Sequence, residues 1–164
     1  MAAGLTNEQY LLISTVRRFI DNELRPLEDA VEKTGILPTA DAKRIFERSR
    51  DLGFYAMNIA EHHGGGGLSA LDWVLVEEQF GHTTDILIRR AFGNVYEILL
   101  SGTPEQHARW LTPSVKGERT FSVAFTEPGA GSDAASIKTT ARRDGDGWVL
   151  SGQKTFISDA HYSD

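Results

Sequence analysis

The stretch Phe125-Thr126-Glu127-Pro128-Gly129-Ala130-Gly131-Ser132-Asp133 is where residue types and spacing converge on chemistry. A strand-like run ends at Thr126-Glu127, Pro128 stops it, and Gly129 and Gly131 free the backbone beyond to curl. Ser132 places a small hydroxyl at the tip. Such a turn points several N–H groups outward with no side chain in the way, which suits a phosphate or another anion. A turn with a purely structural purpose has the same composition. The order Gly129-Ala130-Gly131-Ser132-Asp133-Ala134 also touches the dinucleotide fingerprint. That fingerprint needs a helix opening at the loop and an acidic residue about twenty positions on, at the end of a second strand. Here strand-like residues resume at Ile137 instead. Glu127 and Asp133 flank the turn and have the chemistry of an acid–base pair. Capping and surface ion pairing are the simpler account of both. No residue of the chain is assigned a catalytic role.

Two further clusters are weaker. His62-His63 would point apart in an extended segment, and no third ligand stands at a sensible spacing, so no metal is expected. Gly64–Gly67 lacks the Lys-Ser/Thr of a phosphate loop and reads as a flexible connection between helices.

The elements that must position these residues follow from hydrophobic period. From Thr6 to about Val115 the spacing is helical. Thr6 and Gln9 form a capping box, Leu12, Val16, Phe19, Ile20 and Leu24 make one stripe, and Pro26 interrupts it. Thr39 is expected to cap a second helix that Gly53 closes. Ser69 with Asp72 opens a third, with Trp73, Val74, Val76 and Phe80 inward and Gly81 at its end. A fourth is expected over Thr84 to Leu100. Thr103-Pro104-Glu105-Gln106 has the cap, the first-turn proline and the returning glutamine of a fifth start. Phe19, Phe46, Trp73, Phe80 and Tyr96 are expected to be buried, and Trp110 to be core. After Gly117 the period becomes two. Strands are expected at Phe121–Phe125, at Ile137–Arg143, from Trp148 after the Asp144-Gly145-Asp146-Gly147 turn, and at Thr155–Ser158. The fold class is therefore α+β and multidomain: an all-α bundle over 1–117, then the first strands of an antiparallel β-domain over 118–164.

Composition excludes several functions. Cysteine is absent, which removes disulfides, thiolate catalysis and thiolate zinc sites. The net charge is −6, and the basic residues are scattered, so no nucleic acid partner is expected. No apolar run is long enough to span a bilayer. Met1–Gly4 leads directly into a polar helix start, and a cytoplasmic location is expected, or an organelle matrix after removal of a transit peptide.

Taken in order, the motifs resemble the acyl-CoA dehydrogenase family. There a strand ending in Thr-Glu-Pro-Gly-Ala-Gly-Ser-Asp is followed by a Thr-rich strand, a Gly-Asp hairpin and a Gly-Gln-Lys strand. This chain repeats them as Phe125–Asp133, Ile137-Lys138-Thr139, Asp144–Leu150 and Gly152-Gln153-Lys154. Gly64–Leu68 and Ser101–Gln106 match the family's glycine-rich loop and Gly-Thr-x-x-Gln helix start. The resemblance runs from about Leu5 to Asp164 and covers less than half of a typical member.

The resemblance implies FAD as cofactor, an acyl-CoA or related acyl thioester as substrate, α,β-desaturation as the reaction and electron-transfer flavoprotein as acceptor. It also implies a homo-oligomer, a tetramer or a dimer. Val123, Phe125 and Thr126 would line the pyrimidine edge of the flavin. Gly131 and Ser132 would approach the pyrophosphate, with Ser132 also meeting the pantetheine arm of the substrate. Phe156, Ile157 and Ser158 correspond to the family's aromatic-Ile-Thr, with Phe for the commoner Trp and Ser for the commoner Thr. Phe156 would pack on the ring system, and Ser158 would reach N5 and O4. The glutamate base lies in a C-terminal domain of the family and has no counterpart here, so this segment alone is expected to be inactive. The other reading is a catalytically inactive short homologue, or an interaction module that keeps the helical surface.

Overall fold

Helix α1 (Asn7–Phe19) starts as its sequence dictates. The Thr6 hydroxyl accepts from the Gln9 N–H at 3.2 Å, and the Gln9 side chain accepts from the Thr6 N–H at 2.9 Å. The computed structural model describes residues 4–93, 95–158, 160 and 163–164, which divide into two units, Met1–Glu118 and Arg119–Asp164. In the first unit Pro26 does not end the helical path. Proline has no N–H for the carbonyl four residues back, so Ile20–Leu24 widen into a π segment in which the Arg25 N–H reaches the Ile20 carbonyl. The path resumes as α2 (Arg25–Thr34), with Pro26 in its first turn and Gly35 closing it at φ 67°. Pro113 produces the same geometry later. Between α6 (Pro104–Gln106) and α7 (Thr112–Val115), His107–Leu111 are π-helical and the Thr112 N–H bonds the His107 carbonyl. The Thr103 capping box is present at the start of this run.

Helix α3 (Thr39–Asp51) takes Pro38 as its N-cap and has no side-chain cap, so Thr39 is its first helical residue and not the capping group. Helix α4 (Ala70–Phe80) is capped by Ser69, whose oxygen accepts from the Asp72 N–H. The Gln9 amide donates to Asp72 at 2.8 Å, which ties α1 to α4. The hydrogen bonds from Gln9 and Ser69 hold the Asp72 carboxyl below its ordinary value.

The fourth expected helix is cut short. It runs as α5 (Asp85–Ala91), and Glu97–Ser101 is a separate 3-10 turn. Gly93 explains the break. Its carbonyl accepts from the Ala56 N–H at 2.8 Å, and a Cβ at Gly93 would overlap the Tyr55 ring. Asn58 then replaces helical partners for Val95, accepting from its N–H at 3.3 Å and donating to its carbonyl at 2.6 Å. Tertiary bonding to another segment outcompetes helix propagation here. One consequence is that Tyr96 is 44% exposed and not core.

The core of this unit lies where Val16, Phe19, Ile20 and Leu24 meet Ile45, Phe54, Val76, Phe80 and Leu87. Phe19, Phe54 and Phe80 meet edge-to-face at 5.3–6.3 Å, and Phe92 stacks on Phe80 at 4.8 Å. Phe19 and Phe80 are buried, whereas Phe46 and Trp73 are half-buried. Val74 and Trp110, expected inside, are exposed. Trp73, Val76 and Phe80 follow the helical stripe and Val74 stands one residue off it. Leu111 takes the buried place beside Trp110.

The Gly64–Gly67 segment is a packed loop and not a flexible spacer. The N–H groups of Gly64, Gly65, Gly66 and Gly67 donate to carbonyls of Glu61, Ala60, Ala56 and Ile59. None is left for a phosphate. Gly65 is required by close approach, because a Cβ there would overlap the Ile59 carbonyl.

In the second unit β1 (Thr140–Asp144) and β2 (Gly147–Ser151) pair antiparallel, with Thr140 opposite Ser151 and Asp144 opposite Gly147. Gly145 holds φ 58° at the first central position of the two-residue turn, the arrangement that matches hairpin twist. Three expected strand spans are corrected. Phe121–Phe125 joins neither β1 nor β2, and Thr155–Ser158 bends at Phe156; a bond from the Thr155 N–H to the Thr126 carbonyl at 2.9 Å links the second segment to the end of the first. Ile137–Thr139 lie outside β1: the Ile137 N–H closes the preceding turn on the Ala134 carbonyl, and those of Lys138 and Thr139 go to a side chain, described next. A strand exists through its partner's hydrogen bonds, and period-two alternation does not supply the partner.

Candidate functional site

Glu127 organises the loop that the sequence singles out. The Glu127 N–H donates to the Ala130 carbonyl at 2.9 Å and the Ala130 N–H returns to the Glu127 carbonyl at 3.1 Å, closing a tight turn over Pro128-Gly129. The Glu127 side chain points inward and is buried. Its carboxylate accepts from the Lys138 N–H at 2.8 Å, the Thr139 N–H at 2.9 Å and the Lys154 ammonium at 2.9 Å. Lys154 also donates to the Phe125 carbonyl at 3.0 Å. One carboxylate thus joins the segment before the turn, the segment after it and the segment following the hairpin. Gly152 lets the last of these approach, since a Cβ there would overlap the Thr139 side chain.

This geometry settles the role of the two acids. The Thr139 side chain facing Glu127, the Lys138 N–H and the Lys154 ammonium bring the Glu127 carboxyl from its ordinary 4.5 down to about 2. The Thr139 hydroxyl falls short of hydrogen-bond geometry with any described residue. A carboxylate held so firmly ionised is a poor proton acceptor at neutral pH. Asp133 is turned elsewhere, its carboxylate accepting from the Ser136 hydroxyl and its carbonyl from the Ser136 N–H. Glu127 and Asp133 are not an acid–base pair, and the Glu127 ion pair is buried and not a surface contact.

A pH dependence follows. The folded Glu127 carboxyl lies below its unfolded value, so its contribution to stability is present above about pH 4.5 and is lost as pH falls through about 2. Glu127→Gln places an amide donor against N–H donors and leaves the Lys154 charge unpaired. The variant is expected to lower the stability of Arg119–Asp164 at neutral pH and to narrow its gap from the parent protein as pH drops toward 2. Urea unfolding followed by Trp148 fluorescence across that range measures the gap, and a gap constant with pH would contradict the assignment.

The residues named from sequence take the following places. Val123 and Phe125 are 42% and 48% exposed, and Phe156 is 92% exposed with its backbone in the left-handed region at φ 55°. A bulky residue held at positive φ with its ring in the open is a strained arrangement of the kind concentrated at functional sites. Thr126 and Ile157 are half-buried, and Gly131, Ser132 and Ser158 are exposed. The hydroxyls of Thr126, Ser132 and Ser158 make no hydrogen bond to any described residue. Gly129 and Gly131 take φ values open to any residue, and a Cβ at either meets nothing within 4 Å. Glycine is therefore not demanded at these positions by the chain's own atoms, and the space above the loop is free. Among the described residues no group of three or more His, Asp or Glu could hold a metal.

The chain matches the acyl-CoA dehydrogenase N-terminal domain over residues 6–118 and the acyl-CoA dehydrogenase middle domain over residues 122–164. It belongs to the acyl-CoA dehydrogenase family. A 3-(aryl)acrylate reductase of Clostridium sporogenes is 36% identical over 163 residues, spanning 97% of this chain and 42% of the relative. The human mitochondrial short-chain specific acyl-CoA dehydrogenase is 36% identical over 160 residues, spanning 95% of this chain and 38% of the relative. An acyl-CoA dehydrogenase of Bacillus anthracis, solved in complex with FAD, superposes with a TM-score of 0.79 at 30% identity, over 98% of this chain and 28% of that one. The chain thus spans about two-fifths of the length of the curated relatives it matches. Within this acyl-CoA dehydrogenase segment, Thr139, Gly152 and Lys154 are the positions whose part in the site sequence reading missed. Their signal was present: Gly-x-Lys after a hairpin, with a glutamate at the preceding turn. No described helix is long and apolar enough to cross a membrane.

Proposed function

We propose that this segment supplies the flavin-facing wall of an FAD-dependent dehydrogenase that desaturates acyl thioesters between the α and β carbons. The observation that carries the reading is the set of unengaged groups along one stretch: the hydroxyls of Thr126, Ser132 and Ser158, the open space over Gly129 and Gly131, and the bare apolar side chains of Val123, Phe125 and Phe156. A flat apolar ring with a polar edge and an anionic tail fits that set. FAD, when bound, supplies the acceptor for the β-hydride.

The chain's own residues then act as holders. Val123, Phe125 and Phe156 offer apolar faces that exclude water from the ring. Ile157 sits beside them, half-buried. The Thr126 hydroxyl donates to the pyrimidine edge, and the Ser158 hydroxyl donates where negative charge develops. Gly131 and Ser132 receive the pyrophosphate, and Ser132 also meets the pantetheine arm of an acyl-CoA. Glu127 does not move a proton; with Lys154 it keeps the wall in register. The base is assigned to a part of the protein outside this segment. The domain boundary is placed at 117/118, the acceptor is electron-transfer flavoprotein, and the assembly is a homo-oligomer in the cytoplasm or an organelle matrix.

The test is to prepare a protein joining this segment to the C-terminal portion present in its relatives, then record its visible spectrum and acyl-CoA-dependent dye reduction. Bound FAD that bleaches on adding acyl-CoA is the expected result. A colourless, folded protein that stays free of FAD on reconstitution would leave the interaction-module reading in its place.

A further inference from the structure

Three imidazoles meet in the helical unit, and nothing in the flavin site uses them. His62 and His63 lie on the turn Glu61–His63 with ring centroids 4.2 Å apart, and His63 meets His107 edge-on at 5.5 Å. His107 belongs to the π segment after α6, where its Nε2 lies 3.2 Å from the Leu100 carbonyl. That bond requires Nε2 to carry a proton and fixes the ring. The segment from Ala56 to Leu68 closes on itself through the bonds of Gly65, Gly66, Gly67 and Leu68 to Ala60, Ala56, Ile59 and Met57. Its base is anchored by Ala56 to Gly93 and by Asn58 to Val95. Its tip meets the helical run at the His63–His107 contact and where Gly64 faces Val115.

We propose that His62, His63 and His107 form an acid-sensitive clasp, holding the tip of the 56–68 loop against the 104–115 helical run at neutral pH and releasing it as His63, the ring between the other two, gains charge. A neutral His63 ring packs between its two neighbours at these distances, whereas like charges so close repel. The Glu61 side chain lies under Gly67, Glu105 accepts from the Thr103 hydroxyl at 2.8 Å, and Arg109 stands over the Trp110 ring. Lys116 and Glu118 lie at the other face of the glycines, where Gly64, Gly65 and Gly66 wall a cavity of about 580 Å³ with Arg50 and Tyr55. Partial burial, with His62 and His107 beside it, holds the His63 imidazole below its ordinary value of 6.5. Its folded value is thus below its unfolded one, so the clasp is fully formed above pH 6.5 and weakens as pH falls from there. The inference is independent of the flavin assignment.

Amide hydrogen exchange of the 164-residue chain at about pH 7.5 and about pH 5.5, corrected for intrinsic exchange, reads the clasp directly. Residues 59–68 are expected to exchange several-fold faster at the lower pH, with α1 and α4 unchanged, and His107→Gln to abolish the difference. Equal protection at both pH values, or a difference that survives in His107→Gln, overturns the proposal. Imidazole NMR gives a second reading: His62→Gln raises the titration midpoint of His63, and an unmoved midpoint likewise counts against the clasp.

Discussion

Phe80→Ala is expected to destabilise the helical unit by about 3–5 kcal/mol, the range for truncating a buried aromatic residue. Phe80 is 1% exposed and touches three other rings, Phe19, Phe54 and Phe92, so its loss opens a cavity between α1, α4 and the segments carrying Phe54 and Phe92. Those neighbours come from separate elements and cannot all move inward together. A loss of this size is a large part of the ordinary stability of a domain, about 5–15 kcal/mol. Leu71→Ala on the same helix is the control. Leu71 is 57% exposed, and its truncation is expected to stay within about 0.5 kcal/mol. Urea unfolding of both variants measures the contrast, and comparable losses would show that the core is not centred on Phe80.

Ser158→Ala carries the largest expected effect on chemistry. In a protein holding FAD and substrate, the Ser158 hydroxyl is proposed to donate where charge appears as hydride arrives. Removing one such donor costs about 2–4 kcal/mol in the transition state, or roughly 30- to 1,000-fold in rate. Binding of the cofactor is expected to change much less, because the charge that the hydroxyl meets is small in the ground state. Rapid mixing with acyl-CoA gives the flavin reduction rate, and titration gives FAD affinity. A slower reduction at nearly unchanged affinity is the expected pair of results. An unchanged reduction rate would remove Ser158 from this role. Ser158→Thr, which restores the family's commoner residue, is expected to retain the rate.

Local rules were enough for much of the helical unit. The capping boxes at Thr6 and Thr103, the Ser69 cap and the buried stripe through Val16, Phe19, Ile20 and Leu24 depend on residues within a few positions of one another. The hairpin at Gly145-Asp146 is equally local. The family was legible for a different reason: an ordered series of spaced motifs from Gly64 through Lys154 is specific even where no single motif is. Tertiary structure decided what depends on distant partners. The helix over Thr84–Leu100 breaks because Gly93 and Val95 bond to Ala56 and Asn58, more than thirty residues earlier, and Tyr96 leaves the core with it. Phe121–Phe125 alternates like a strand but joins neither β1 nor β2, since pairing is a property of two segments. Glu127 illustrates the same limit within the site. Its neighbours in sequence describe a turn residue, whereas its buried carboxylate is set by Lys138, Thr139 and Lys154, donors that only folding brings to it.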